Sequence, residues 1–189
     1  MKNLKLIALL VIPALFSTSC NNDDDNTTTP VNEEEVITTV TTTLTGGGQV
    51  ITLTSRDLDG DGPNAPVVTV SGNLVAGTTY QGSTTFLNEL ENPAGDITVE
   101  VEEEGDEHQV FYQLPTALGT ITYDATNVDA DGNPIGLKFS LVTGSAGNGN
   151  LTVTLRHEPN KTASGVAGGD ITNAGGSSDA VVTFPIIVN

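Results

Sequence analysis

The strongest constraint on this chain is the grammar of its residues from Val36 onward. Short runs rich in Thr, Val and Ile are broken every few residues by Gly, Asn, Asp or Pro. Leu151-Thr-Val-Thr-Leu155 alternates apolar and polar side chains strictly, and so does Leu137-Lys-Phe-Ser-Leu141. Successive side chains of a strand point to opposite faces, so this period puts one face in a core and the other in water. β-Branched residues suit such a pleated, half-buried surface. The runs expected as strands are 36–45, 49–58, 66–74, 79–87, 110–114, 120–123, 137–142, 151–155 and 180–188. Their spacing predicts an all-β fold: one antiparallel, immunoglobulin-like β-sandwich domain over residues 36–189. Gly46, Gly47 and Gly48 supply the positive φ of a three-residue hairpin loop. Residues 96–108 read as a strand, because Ile97, Val99 and Val101 alternate with polar residues. The competing reading is a helix capped by Asp96, with Ile97 and Val101 at helical spacing.

The first twenty residues obey other rules. Lys2 and Lys5 precede an apolar stretch from Leu6 to Phe16, and Ser17, Thr18 and Ser19 follow it. That is the pattern of a secretory signal, here residues 1–19. The apolar run is shorter than the roughly 20 residues a helix needs to span a bilayer. Cys20 is the only cysteine, so there is no internal disulfide. Ser17-Thr-Ser-Cys20 resembles a bacterial lipobox, with Ser17 where leucine is usual. The resemblance implies acylation of Cys20, a membrane anchor and a place in the cell envelope. The alternative is an ordinary signal cut near Ser19 that leaves a free thiol. Residues 20–35 then read as the lipidated cysteine and an acidic, flexible linker, since Asn, Asp, Thr and Glu dominate and no apolar pattern appears.

Charge narrows the partners. All 24 acidic residues follow Cys20, where the basic residues are Arg56, Lys138, Arg156 and Lys161. Nucleic acid and anionic lipid both require cationic surface, so neither fits. A cation or a basic protein partner does. Without tryptophan and with few aromatics, a broad carbohydrate-stacking platform is not expected.

Few residues carry recognisable chemistry. In Asp57-Leu-Asp59-Gly-Asp61-Gly62, oxygens at alternate positions followed by Gly match the first half of a calcium loop. Asn127-Val-Asp129-Ala-Asp131-Gly132 is a weaker copy. The twelfth position, which calls for a bidentate Glu, is Val68 in one and Lys138 in the other. The plainer reading of both is an Asp/Gly/Asn turn between strands. Glu100 to Glu107 form an acidic cluster, either a surface for cations or basic partners or a solvated edge that discourages edge-to-edge pairing. His108 and His157 are the two histidines. They could meet across strands and bind a metal, though a lone strand histidine is commonly satisfied by its neighbours. Catalytic signatures are missing: there is no Gly-x-Ser-x-Gly elbow, and His157-Glu158 lacks a second His at zincin spacing. The glycines at 144, 147 and 149 read as a hairpin loop, since no Walker lysine follows.

Certain phrases carry a wider resemblance: Asn32 to Thr39, Arg56 to Gly62, Leu87-Asn-Glu, Glu103 to Gln109 and Leu155-Arg-His-Glu-Pro159. By these the chain is similar to small lipoproteins of flavobacteria and their Bacteroidota relatives, a family that implies no activity and no functional residues. Some members carry the label "type 1 periplasmic binding fold". That fold needs alternating βα units over a longer chain, and helical periods are nearly missing here. Asn21-Asn-Asp-Asp-Asp25 resembles the acidic export signal of surface lipoproteins in these bacteria. It implies an outer-membrane lipoprotein facing the cell exterior. The expected function is a non-catalytic binding or interaction domain. The alternatives are a solute-binding lipoprotein feeding a transporter and a hydrolase with an unrecognised site.

Overall fold

The computed structural model describes residues 35–60 and 62–189. The signal, Cys20, residues 21–34 and Asp61 lie outside the described residues. Strands β1 (Thr39–Gly46), β2 (Gln49–Arg56), β3 (Val67–Val70), β4 (Thr79–Asn88), β5 (Gly95–Asp96), β6 (His108–Gln113), β7 (Gly119–Tyr123), β8 (Lys138–Thr143), β9 (Gly147–His157) and β10 (Ser177–Val188) dominate, with one short helix, α1 (Ile97–Glu103). The all-β expectation holds. One sheet runs β3-β2-β1-β4-β8-β7, with β5 beside β4; the other runs β10-β9-β6. Every strand-to-strand pairing among the named strands is antiparallel.

Alternation builds the core. In β4, Tyr80, Gly82, Thr84, Phe86 and Asn88 are buried while their neighbours are more exposed. Val40, Leu44 and Phe139 from the larger sheet share one hydrophobic cluster with Val110, Leu155 and Phe184 from the smaller. Burying such side chains is worth about 1.5–3 kcal/mol each. Several polar groups inside this core are paired. The Thr42 and Thr84 hydroxyls lie 2.9 Å apart, and the Tyr112 hydroxyl bonds Thr84 at 2.8 Å and donates to the Gly136 carbonyl at 2.9 Å.

Three local expectations are corrected. Residues 97–103 are helical, not extended. The Asp96 side chain caps the helix by accepting from Thr98 N–H, and Ile97 and Val101 are buried while Val99 is half exposed. The Thr98 hydroxyl also bonds both the N–H and the carbonyl of Phe86, so the helix start takes the place of a further strand beside β4. The first hairpin has two loop residues rather than three: Gly46 pairs with Gln49, and Gly47 and Gly48 turn the chain at φ +59° and +76°. That is the backbone a two-residue hairpin of this twist requires. Finally, Gly147 and Gly149 lie within β9 itself, and residues 144–146 carry the chain between sheets instead of closing a hairpin.

The outer face of the smaller sheet is covered. Residues 158–176 fold back over it with short 3-10 turns at Val166–Gly168 and Ile171–Asn173. Phe111, Val166 and Ala174 make a second buried cluster there. The Gln109 side-chain amide donates to the Val166 carbonyl at 2.9 Å.

Candidate functional site

The inner face of the smaller sheet changes character at one end. Along β6, residues 108, 110 and 112 share that face; along β9, residues 151, 153, 155 and 157 do. Val110, Tyr112, Leu151, Val153 and Leu155 belong to the core. The last pair is His108 opposite His157. Their ring centroids are 4.8 Å apart at 64°, and the side chains are 0% and 6% exposed.

Two carboxylates close on this pair. Asp179 is supplied by an irregularity in β10: Ser178 pairs with Arg156 and Ala180 with Leu155, so Asp179 is the extra residue of a bulge. Bulges commonly re-aim a side chain in this way. Asp179 Oδ2 lies 3.8 Å from His108 Nε2 and 3.9 Å from His157 Nδ1, fully buried. Glu35 arrives from the segment leading into β1. Its Oε1 lies 3.2 Å from His108 Nε2, and its side chain is 8% exposed. Glu35 was grouped with the flexible linker on sequence alone; here it packs against the sandwich.

Electrostatics follow from this crowding. Burial alone would push the Glu35 carboxyl up, but His108 and His157 outweigh it and hold the group below the usual carboxylate range. Burial would pull His108 down, but the hydrogen-bonding and charge of Glu35, with Glu104 and Asp179, hold it above its ordinary value. The outward ring nitrogens have their own partners. His108 Nδ1 is 3.1 Å from the Glu104 carbonyl at the end of α1, and His157 Nε2 is 3.7 Å from Glu107 Oε2. Four donor atoms, one each from Glu35, His108, His157 and Asp179, lie within 4.8 Å of one another. Such a group can hold a divalent metal ion; without one it is a buried His–carboxylate ion-pair network. An open cleft of about 510 Å³ lies beside it, with Glu35, Thr38, Ser55, Asp57, Asp179 and Val182 in its wall.

The sequence-derived calcium candidates sit elsewhere. Asp57 and Asp59 occupy the loop after β2. Asp57 Oδ1 accepts from the N–H groups of Asp59 and Gly60, and Asp59 Oδ2 accepts from the backbone and side chain of Asn64. Asp129 Oδ1 accepts from the N–H groups of Asp131 and Asn133, while its Oδ2 lies 3.0 Å from the Lys161 ammonium. In that second loop a protein cation sits beside Asp129.

Of the residues singled out on sequence, the two histidines are brought together. Glu35 and Asp179 were missed. Asp179, an acid directly preceding the run 180–188, was the signal available for one; the other stood inside an acidic run with nothing to distinguish it. Comparison with known proteins adds nothing: no family model, curated protein or solved structure gives a significant match.

Proposed function

We propose that this chain is a cell-envelope lipoprotein, anchored through Cys20 and displayed by the outer membrane, whose β domain is a non-catalytic binding module for a basic partner. The observation that carries the reading is the open cleft beside β10, in whose wall the partly exposed Asp57 stands among Val36, Pro66 and Val181. Carboxylates set among apolar side chains suit lysine- or arginine-bearing segments, whose stems are apolar and whose heads are cationic. The immunoglobulin-like type is part of the same proposal. Its support is strand order: β1-β4-β8-β7 and β10-β9-β6 follow the ABED and GFC sheets of constant-type domains, with β2 and β3 added beyond β1.

Two measurements test this. Intact mass of the mature protein is expected to show a diacylglyceryl addition on an N-terminal Cys20; an unmodified mass removes the anchor. Envelope proteins retained by the wild-type domain at physiological salt are expected to be lost with Asp57→Lys. Identical retention by both proteins would remove the cleft from the interaction.

A further inference from the structure

We propose that Glu35, His108, His157 and Asp179 bind one divalent transition-metal ion of the zinc class. This does not rest on the partner reading above, whose test residue, Asp57, is not among the four. The donors are right for it: zinc takes imidazole nitrogen and carboxylate oxygen, and its protein sites are predominantly four-coordinate. The spacing is close. Bonds of about 2.0–2.1 Å in a tetrahedron put donor atoms about 3.3 Å apart. Here Glu35 Oε1 to His108 Nε2 is 3.2 Å, His108 Nε2 to Asp179 Oδ2 is 3.8 Å, and Asp179 Oδ2 to His157 Nδ1 is 3.9 Å. All four donors lie within 4.8 Å of one another, so the widest pairs must draw in to close the shell.

The surroundings orient the rings as a metal needs. A ligating histidine normally donates its other ring N–H to a carbonyl or carboxylate. His108 does so through Nδ1 to Glu104, and His157 turns Nε2 toward Glu107. His108 Nε2 and His157 Nδ1 thereby both face inward, toward Asp179. Buried His108 Nε2, His157 Nδ1 and Glu35 Oε2 have no aligned hydrogen bond. Leaving such atoms without one is costly in a well-packed interior, and a metal ion held through Glu35 Oε1 would satisfy the two ring nitrogens. The trio Glu107, His157 and Glu158, whose two carboxylates are exposed, would need the opposite nitrogen of His157, so it competes with this site rather than extending it.

The four ligands come from the segment before β1, the starts of β6 and β10 and the end of β9. A bound ion would therefore fasten the segment entering β1 to the smaller sheet.

The experiment is metal titration of the purified chain after chelator treatment. One equivalent of Zn²⁺ is expected to bind, to raise Tm by several degrees through mass action, and to do so in excess Mg²⁺ or Ca²⁺. Because the chain has two histidines, ring ¹⁵N NMR reads the site directly in the wild type. His108 Nε2 and His157 Nδ1 should both move to metal-bound positions at one equivalent. His157→Gln and Asp179→Asn are each expected to weaken binding at least tenfold, while Glu158→Gln leaves it unchanged. Unmoved histidine signals overturn the site even if a variant fails to fold. So does Zn²⁺ binding that Mg²⁺ competes away, which would mark diffuse attraction to the acidic surface.

Discussion

Lys161 Nζ lies 3.0 Å from Asp129 Oδ2, and the two side chains are 5% and 2% exposed. The ammonium also donates to the carbonyls of Gly105 and Pro134, so its three N–H groups each have an acceptor. Burial draws Lys161 below its ordinary value even beside Asp129. Burial would raise Asp129, but Lys161 and the N–H groups of its turn hold it low. The partners thus point different ways about the worth of the pair. Three acceptors converging on one nitrogen decide for the charged form. The contact ties residues 158–176 to the loop between β7 and β8.

Removing one partner of a buried pair costs more than the pair itself contributes, because the other charge is stranded. Lys161→Met is expected to lower unfolding free energy by about 3–5 kcal/mol in urea denaturation. The double variant Lys161→Met with Asp129→Asn should recover part of that loss. A double variant no more stable than the single would show that lost packing, not the stranded carboxylate, sets the cost.

Gly82 in β4 stands directly opposite Phe139 in β8. A Cβ at residue 82 would lie 2.3 Å from the Phe139 ring, which fills that space. Gly82→Ala should therefore cost about 1–3 kcal/mol by overpacking, despite alanine's smaller loss of backbone freedom on folding. Combining it with Phe139→Leu should relieve much of the strain. An unchanged Tm for Gly82→Ala would mean the ring moves aside freely.

Helix α1 gives a sharp comparison. A strand would have placed Ile97, Val99 and Val101 on one face; the helix buries Val101 completely and leaves Val99 49% exposed. Val101→Ala is expected to cost about 2 kcal/mol through lost transfer energy and a cavity. Val99→Ala should be near neutral. Asp96→Ala should cost about 1 kcal/mol through the lost cap. Equal costs at 99 and 101 would restore the strand.

This helix shows what local pattern can and cannot decide. Over seven residues the strand and helix periods both fit; the local cap at Asp96 favours the helix, and the bonds of Thr98 to Phe86, which are tertiary, fix it. Where alternation ran longer and turn residues bounded it, as in residues 79–87 or 137–142, strand positions were legible to within a residue or two. The site was half legible. Two histidines in strand-like runs could meet, but their pairing is set by register between chain positions 49 apart. Asp179 reaches them through a bulge in the pairing of β10 with β9, and a bulge leaves no periodicity to read. Glu35 looked like linker because its neighbours are acidic; what captures it is the imidazole of a residue far along the chain.

Burial pushes the Tyr123 hydroxyl up to about 12, against a smaller opposing effect from the Gln109 amide, and pushes Tyr112 well above its ordinary value. A tyrosine whose pKa is higher folded than unfolded favours the folded state while both forms are neutral, that is, below about pH 10. Above that, the unfolded chain gains by ionising and the folded one does not, so stability falls as pH rises from about 10 toward 12. Phenolate absorbance should therefore appear for these two residues together with loss of the strand circular dichroism. Tyr123→Phe separates the two contributions. It removes the hydroxyl that donates to the Val110 carbonyl at 2.7 Å, so stability at neutral pH should drop by about 1 kcal/mol. It also removes one group that ionises only on unfolding, so the decline above pH 10 should become shallower. Phenolate absorbance that develops near pH 10 for Tyr112 and Tyr123, with the fold intact, would mean the Tyr123 ring is open to solvent and the cover of residues 158–176 is loose.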